Sequence, residues 1–239
     1  GLMLVGMVAV WLGPEPENPG NQPETLGEAI GGPFKEFFSR EGALMMLGLI
    51  VLYKLGDAFA GSLTTSFLIR GMKFTVGEVG AINKGMGLVA TIVGALYGGF
   101  LLARIGLFRS LLLFGLLQAI SNLSFMVLAF IGKNYAMMVF TIGFENLSGG
   151  MGTAAFVAFL MALCNHNFTA TQFALLSAFA SLGRVFVGPL SGDLVAEFGW
   201  LIFFFITFIA AWPGIILLLK MRTKFQTLEK DELIPVQKP

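Results

Sequence analysis

The sequence predicts an all-α, polytopic membrane protein built as a bundle of six transmembrane helices, and three observations lead there. Hydrophobic residues make up 56% of the chain and charged residues 12%, about half the charged share of an ordinary soluble domain. The apolar residues fall into six blocks, at about 43–69, 79–103, 108–131, 135–163, 169–195 and 199–220. Each block reaches the ~20 residues needed to cross the hydrocarbon core. Only a few residues separate successive blocks, so consecutive helices run antiparallel. Runs of about ten alternating residues, the mark of a membrane barrel, are not seen.

The same composition excludes several function classes. A net charge of +1, with the basic residues scattered among short loops, offers no stripe for nucleic acid. One cysteine, Cys164, and one histidine, His166, leave no internal disulfide and no metal cluster to assemble, and no cofactor is expected. His166 reads as an interfacial residue. No nucleophile–base pair and no HExxH pattern points to an enzyme.

From the first residue onward, 1–12 is an apolar run with no initiator methionine, basic leader or cleavage site, and it reads as the end of a preceding transmembrane helix. Residues 13–41, rich in Pro, Glu, Asn and Gly, form a cytoplasmic interdomain linker. Within it Thr25, Glu28, Ile30, Phe34, Phe37 and Phe38 are spaced either for a short amphipathic helix on the membrane surface or for a loop with scattered aromatics. Residues 42–222 hold the six-helix domain, and 223–239 a cytoplasmic tail. Lys230 to Leu233 spell a retention signal, but the signal acts only at a terminus and residues follow it here.

Orientation follows the basic residues. Lys35, Arg40, Arg104, Arg109, Lys220, Arg222 and Lys224 fall on one side of the predicted bundle, and Arg70, Lys73 and Lys133 on the other. Both ends of the chain are therefore expected in the cytoplasm. Gly94 with Gly98, and Gly188 with Gly192, have the four-residue spacing that lets helices approach closely, while Pro189 and Pro213 predict kinks.

A charge within a membrane helix needs a partner or an aqueous cavity, so the intramembrane polar residues are the candidate site. Lys54 and Asp57 share a helical face and either neutralise each other or grip opposite ends of a zwitterionic substrate. Asn83 and Lys84 open the second span, where the lysine either snorkels to headgroups or meets a ligand. Gln118 and Asn122 share a face and either tie two helices or read an amide-bearing solute. Glu145 and Asn146 sit deep in the fourth span before Ser148, Gly149, Gly150 and Gly152, and beside Asp57 the Glu145 carboxylate is the leading candidate to load and release a proton. The alternative for Glu145 is a salt bridge to Lys54 or Arg184. Arg184 in the fifth span pairs a carboxylate of the protein or of the substrate if it faces the cavity. Asn122, Asn146 and Asn167 begin N-x-Ser/Thr patterns, but their places in spans or on the cytoplasmic side argue against glycosylation.

The segment from Gly98 to Arg109 resembles the cytoplasmic loop motif of major facilitator permeases through Gly99, Arg104, Gly106 and Arg109, with Ala103 where that motif has an aspartate. Gly188 to Gly192, then Gly199 and Trp200, resemble the same superfamily's penultimate hairpin. Four longer runs, at 53–59, 67–71, 144–153 and 170–177, resemble the muropeptide permeases of the AmpG family. That resemblance implies the carboxy-terminal half of a major facilitator fold in a bacterial inner membrane. It implies proton symport of anhydromuropeptides, the N-acetylglucosaminyl-anhydromuramyl peptides of cell-wall turnover, serving peptidoglycan recycling and β-lactamase induction. It further implies an amino-terminal six-helix half as partner, alongside protons, lipid and the small-molecule substrate. Lys54, Asp57, Glu145, Asn146, Gln172 and Arg184 offer complements to the sugars, carboxylates and amine of such a substrate. A permease of the same fold for a sugar, drug or siderophore fits the same inventory, and a membrane scaffold that transports nothing is the alternative if this half is expressed without its mate.

Overall fold

The structure is a computed structural model that describes residues 2–13, 26–165, 168–223 and 225. The expectations for Thr25, His166, Asn167, Lys224, residues 14–25 of the linker and residues 226–239 of the tail lie outside these residues. Among the described residues there is no strand, and the chain is an all-α polytopic membrane protein.

A short apolar helix, α1 (Leu2–Leu12), is followed by α2 (Leu26–Ser39). The first span comprises α3 (Ala43–Tyr53) and α4 (Leu55–Ser66), joined at Lys54, and it ends in a π-helical turn, Phe67–Gly71. The second comprises α5 (Val76–Ile82), a π-helical turn at Asn83–Gly87, and α6 (Leu88–Ile105). After these come α7 (Leu107–Ile131), α8 (Tyr135–Ala162) and α9 (Thr169–Lys220).

Four stretches are long and apolar enough to cross a membrane: Ala43–Gly71, Val76–Ile105, Leu107–Ile131 and Thr169–Lys220. The last has 52 residues, about 78 Å at 1.5 Å per residue, more than twice a hydrocarbon core. It turns at Gly199, whose φ of 77° breaks the helix into the two segments expected as separate spans. At 28 residues α8 is long enough to cross, and Glu145, Asn146 and its central glycines lower its apolarity.

The element ends have local causes. Thr75 and Glu78 form a reciprocal capping box at the start of α5, and the Asn134 side chain accepts from the Met137 amide at the start of α8. The connection between α6 and α7 shrinks to Gly106, whose φ of 82° disfavours any residue with a Cβ.

Two aromatic clusters hold the bundle. One gathers Phe37, Tyr53, Phe114, Phe156, Phe159 and Phe225, with Tyr53 stacked on Phe156 and its hydroxyl donating to the Leu111 carbonyl at 2.9 Å. The other gathers Phe67, Phe125, Met138, Phe203 and Phe204. Along α4, α7 and α8 the residues between the clusters include Asp57, Thr64, Gln118, Asn122, Glu145 and Asn146, so a polar layer separates two apolar ends.

Glycines set the closest helix contacts. A Cβ on Gly98 would lie 2.7 Å from Met151 Cα, and one on Gly94 would strike the Leu147 carbonyl, so α6 and α8 meet backbone to backbone. The expectation for Gly188 and Gly192 is corrected: nothing among the described residues lies within 4 Å of a Cβ at either, so this pair mediates no close approach here.

Candidate functional site

The polar layer opens into a cavity of about 600 Å³ walled by α4, α6, α8 and the π turn before α6. Asp57, Thr64 and Thr65 come from α4, Asn83 and Thr91 from the second span, and Glu145, Asn146 and Thr153 from α8. The break at Lys54 (φ −91°, ψ 0°) lies where Gly56 and Gly214 allow the first span to press on the last. It sets the Lys54 amine 3.4 Å from the Asp57 carboxylate, and the same amine stands 5.6 Å from the Phe156 ring centroid.

Glu145 has no hydrogen-bond or ion-pair partner for its carboxylate among the described residues. The salt bridge to Lys54 or Arg184 considered from the sequence does not form: Lys54 holds Asp57, and Arg184 is exposed and off the cavity lining. Asn146 is anchored, its Nδ2 donating to the Ile142 carbonyl at 2.8 Å and its Oδ1 accepting from the Thr91 hydroxyl at 3.0 Å.

Gln118 and Asn122 are buried behind the Asp57 side of the cavity, where they line a small pocket with Tyr53 and Asp57. Asn122 Nδ2 donates weakly to the Gly56 carbonyl at 3.5 Å, a tie between α7 and α4. Gln118 packs on the bare face of Gly152, with its Nε2 unpartnered among the described residues.

Gln172 corrects the sequence reading. It lies in the first turn of α9, away from the cavity lining, where its Nε2 donates to the Glu36 carboxylate and to the Pro33 carbonyl, and its Oε1 accepts from the Asn165 amide. Glu36 also takes Arg40 Nε at 3.0 Å and Nη2 at 2.8 Å, and Arg40 Nη1 donates to the Leu163 carbonyl. Helix α2 is thereby clamped to the α8–α9 connection. Burial pushes the Glu36 carboxyl pKa up, but the hydrogen bonds from Gln172, Arg40 and Asn165 outweigh it and hold the pKa below its ordinary value.

Of the loop-motif residues, Gly106 supplies the turn, Arg104 lies over the Phe100 ring at 4.7 Å, Arg109 is exposed and Gly99 faces open space. Among the described residues no group of three or more His, Cys, Asp or Glu converges as a metal site.

The chain is 54% identical over 228 residues, 95% of its length, to the anhydromuropeptide permease of Escherichia coli (strain K12). This is an AmpG-like sequence. It is also 38% identical over 192 residues, 80% of its length, to the putative transporter AmpG 4 of Rickettsia conorii. It is 34% identical over 183 residues, 77% of its length, to the putative transporter AmpG 1 of Rickettsia bellii. The AmpG-like chain spans about half the length of these curated relatives, 46%, 46% and 44% respectively. No family model matches it.

Sequence reasoning had placed Asp57, Glu145 and Asn146 at membrane depth, and the structure of this AmpG-like chain brings them to one cavity. It missed Thr64, Thr65, Thr91 and Thr153, since a threonine in an apolar block gives no signal beyond a small polar side chain. In the sequence Asn83 stands beside Lys84 at the start of the second span, with no sign of its own that it faces the cavity. The two glycines at Gly85 and Gly87, which loosen the helix there, were the available hint.

Proposed function

We propose that the chain is the carboxy-terminal half of an importer that carries anhydromuropeptides into the cell by proton symport. The 54% identity across 95% of the chain to a protein named for that activity carries this reading. In it, both chain ends are cytoplasmic, the membrane is the bacterial inner membrane, and an amino-terminal bundle supplies the opposite wall of the cavity. The imported material feeds peptidoglycan recycling and β-lactamase induction.

The cavity chemistry supports the reading. A muropeptide offers hydroxyls, amides and carboxylates, and the wall presents threonine hydroxyls, carboxamides and the Asp57 carboxylate, which the Lys54 amine pairs from behind the lining. We assign proton coupling to Glu145, because Asp57 already has a cationic partner and Glu145 has none among the described residues. An unpaired carboxylate at membrane depth is the group whose charge must be covered during each transport cycle.

The test is uptake of labelled anhydromuropeptide by the full-length transporter in cells lacking their own muropeptide permease. Expected is uptake abolished by a protonophore, with Glu145→Gln losing proton-driven accumulation while still exchanging substrate across the membrane. If the inserted wild type carries no muropeptide, the assignment fails. If Glu145→Gln accumulates normally and Asp57→Asn does not, the proton carrier is Asp57.

A further inference from the structure

Resting on the reading of this cavity as a muropeptide path, we propose that Asn83, Thr91 and Asn146 form a subsite that recognises a secondary amide of the substrate. The π turn at Asn83–Gly87 assembles it.

The case begins with the backbone. The second span starts as an ordinary capped helix, passes through five π-helical residues, and resumes as α6. A π turn inserts one extra residue, so everything after it is rotated by about 100° relative to an uninterrupted α-helix. That rotation lets Asn83, at the start of the turn, and Thr91, after it, both line the cavity. In an uninterrupted α-helix positions eight apart differ by about 80° around the axis, and the extra residue reduces that offset to about 20°.

Gly87 is the focus. A Cβ built there would lie 3.3 Å from Asn146 Nδ2 and 3.5 Å from Asn83 Oδ1, so two carboxamides from different helices straddle one bare Cα. The Thr91 hydroxyl lies 2.9 Å from the Gly87 carbonyl and 3.0 Å from Asn146 Oδ1, tying the glycine to the asparagine. Asn146 Nδ2 is further held by the Ile142 carbonyl. The Asn146 amide is thus fixed in orientation, with one N–H and part of its acceptor capacity left over.

The side chain of Asn83 has no hydrogen-bond partner among the described residues, although it lines the cavity at membrane depth. A free carboxamide beside a fixed one is complementary to an amide: its C=O takes the ligand N–H and its N–H₂ meets the ligand C=O. A muropeptide carries such groups on its N-acylated sugars and along its peptide. The adjacent Glu145 supplies charge, whereas this cluster is neutral and reads hydrogen-bond pattern alone. A site built to hydrogen-bond a polar group discriminates against analogues lacking it, because its own groups are then left unpaired.

The experiment uses the full-length transporter and two competitors of equal charge: an N-acetylglucosamine-containing muropeptide and its counterpart with glucose in place of the acetamido sugar. For the wild type, preference for the acetamido form by about tenfold in apparent KM is expected, the worth of one net hydrogen-bonded contact. Asn83→Ala should reduce that preference to within about twofold by raising the KM of the acetamido form, with maximal uptake retained. Thr91→Val, close in shape, removes the hydroxyl that holds Asn146 Oδ1 and should lower the preference in the same direction, which covers the case of an Asn83 variant that fails to insert. A wild type that carries muropeptides while both inserted variants keep its preference, or lose rate on both competitors equally, overturns the subsite alone. A wild type that carries neither competitor overturns the permease reading and the subsite with it.

Discussion

Gln172 shows what a single residue reveals only once its neighbours are known. It stands in an apolar run and reads as an intramembrane amide, yet its partner, Glu36, is 136 residues away in the polar segment before the bundle. Nothing in spacing or periodicity links the two, whereas Lys54 and Asp57, three apart on one helix, announce their pairing in the sequence. The Glu36 network has a pH signature. Its folded pKa lies below the ordinary 4.5, so its contribution to holding α2 is fully present above that value and is lost as pH falls through the depressed folded pKa. The protection factors of the α2 amides, with the intrinsic pH dependence of exchange divided out, should therefore hold from pH 8 to about 5 and fall only at more acid pH. In Glu36→Ala the same amides should exchange rapidly across that range. Equal protection of α2 in variant and wild type at neutral pH would show that the aromatic packing of Phe37 holds the helix without the network.

At the scale of elements, hydrophobic blocks located the spans because length and apolarity are the physical requirements for crossing a bilayer. The departures are local. The second span begins at Val76 instead of near residue 79, because the Thr75–Glu78 capping box starts the helix in a segment too polar to count as apolar. The π turns and the break at Lys54 leave no mark on hydropathy, since they change which face a side chain occupies and not which residues are apolar. The α6–α8 contact offers a matched comparison between neighbouring glycines. A methyl on Gly98 meets the Met151 backbone, which cannot rotate away, so Gly98→Ala should destabilise the detergent-solubilised protein by about 1–3 kcal/mol, the usual range for overpacking. A methyl on Gly99 meets nothing within 4 Å, and Gly99→Ala should be neutral or slightly stabilising through its better helix propensity. A thermal melt that ranks the two variants the other way would show that the close approach of α6 to α8 is absent in the folded protein.

For the molecule as a whole, the arrangement of apolar and polar layers constrains how it can work. The aromatic clusters grip the helices at both ends, so the bundle is suited to move as a body, while the polar layer between them is open on the side of α4, α6 and α8. The second span underlines this asymmetry: 17% of its most apolar window is buried, against 56% for Leu107–Ile131, so it stands at the margin of the bundle with one flank on the cavity. On the proposed reading, a cavity walled by these helices alone leaves a disaccharide peptide uncovered on one side, and a carboxylate such as Glu145 facing that side would meet lipid instead of water and substrate. If the chain is one half of an importer, as proposed, alternating access requires a second bundle against which this one rocks. The 239-residue chain expressed alone, with its insertion verified by labelling of Cys164, should give no uptake of muropeptide above the permease-deficient background. Co-expression with the preceding part of the transporter as a separate polypeptide should restore protonophore-sensitive uptake, because the contact between two preformed bundles does not need a covalent link. Uptake by the inserted chain alone would mean that copies of it pair with one another to close the cavity, and a dependence of rate on the square of its membrane density would identify that assembly.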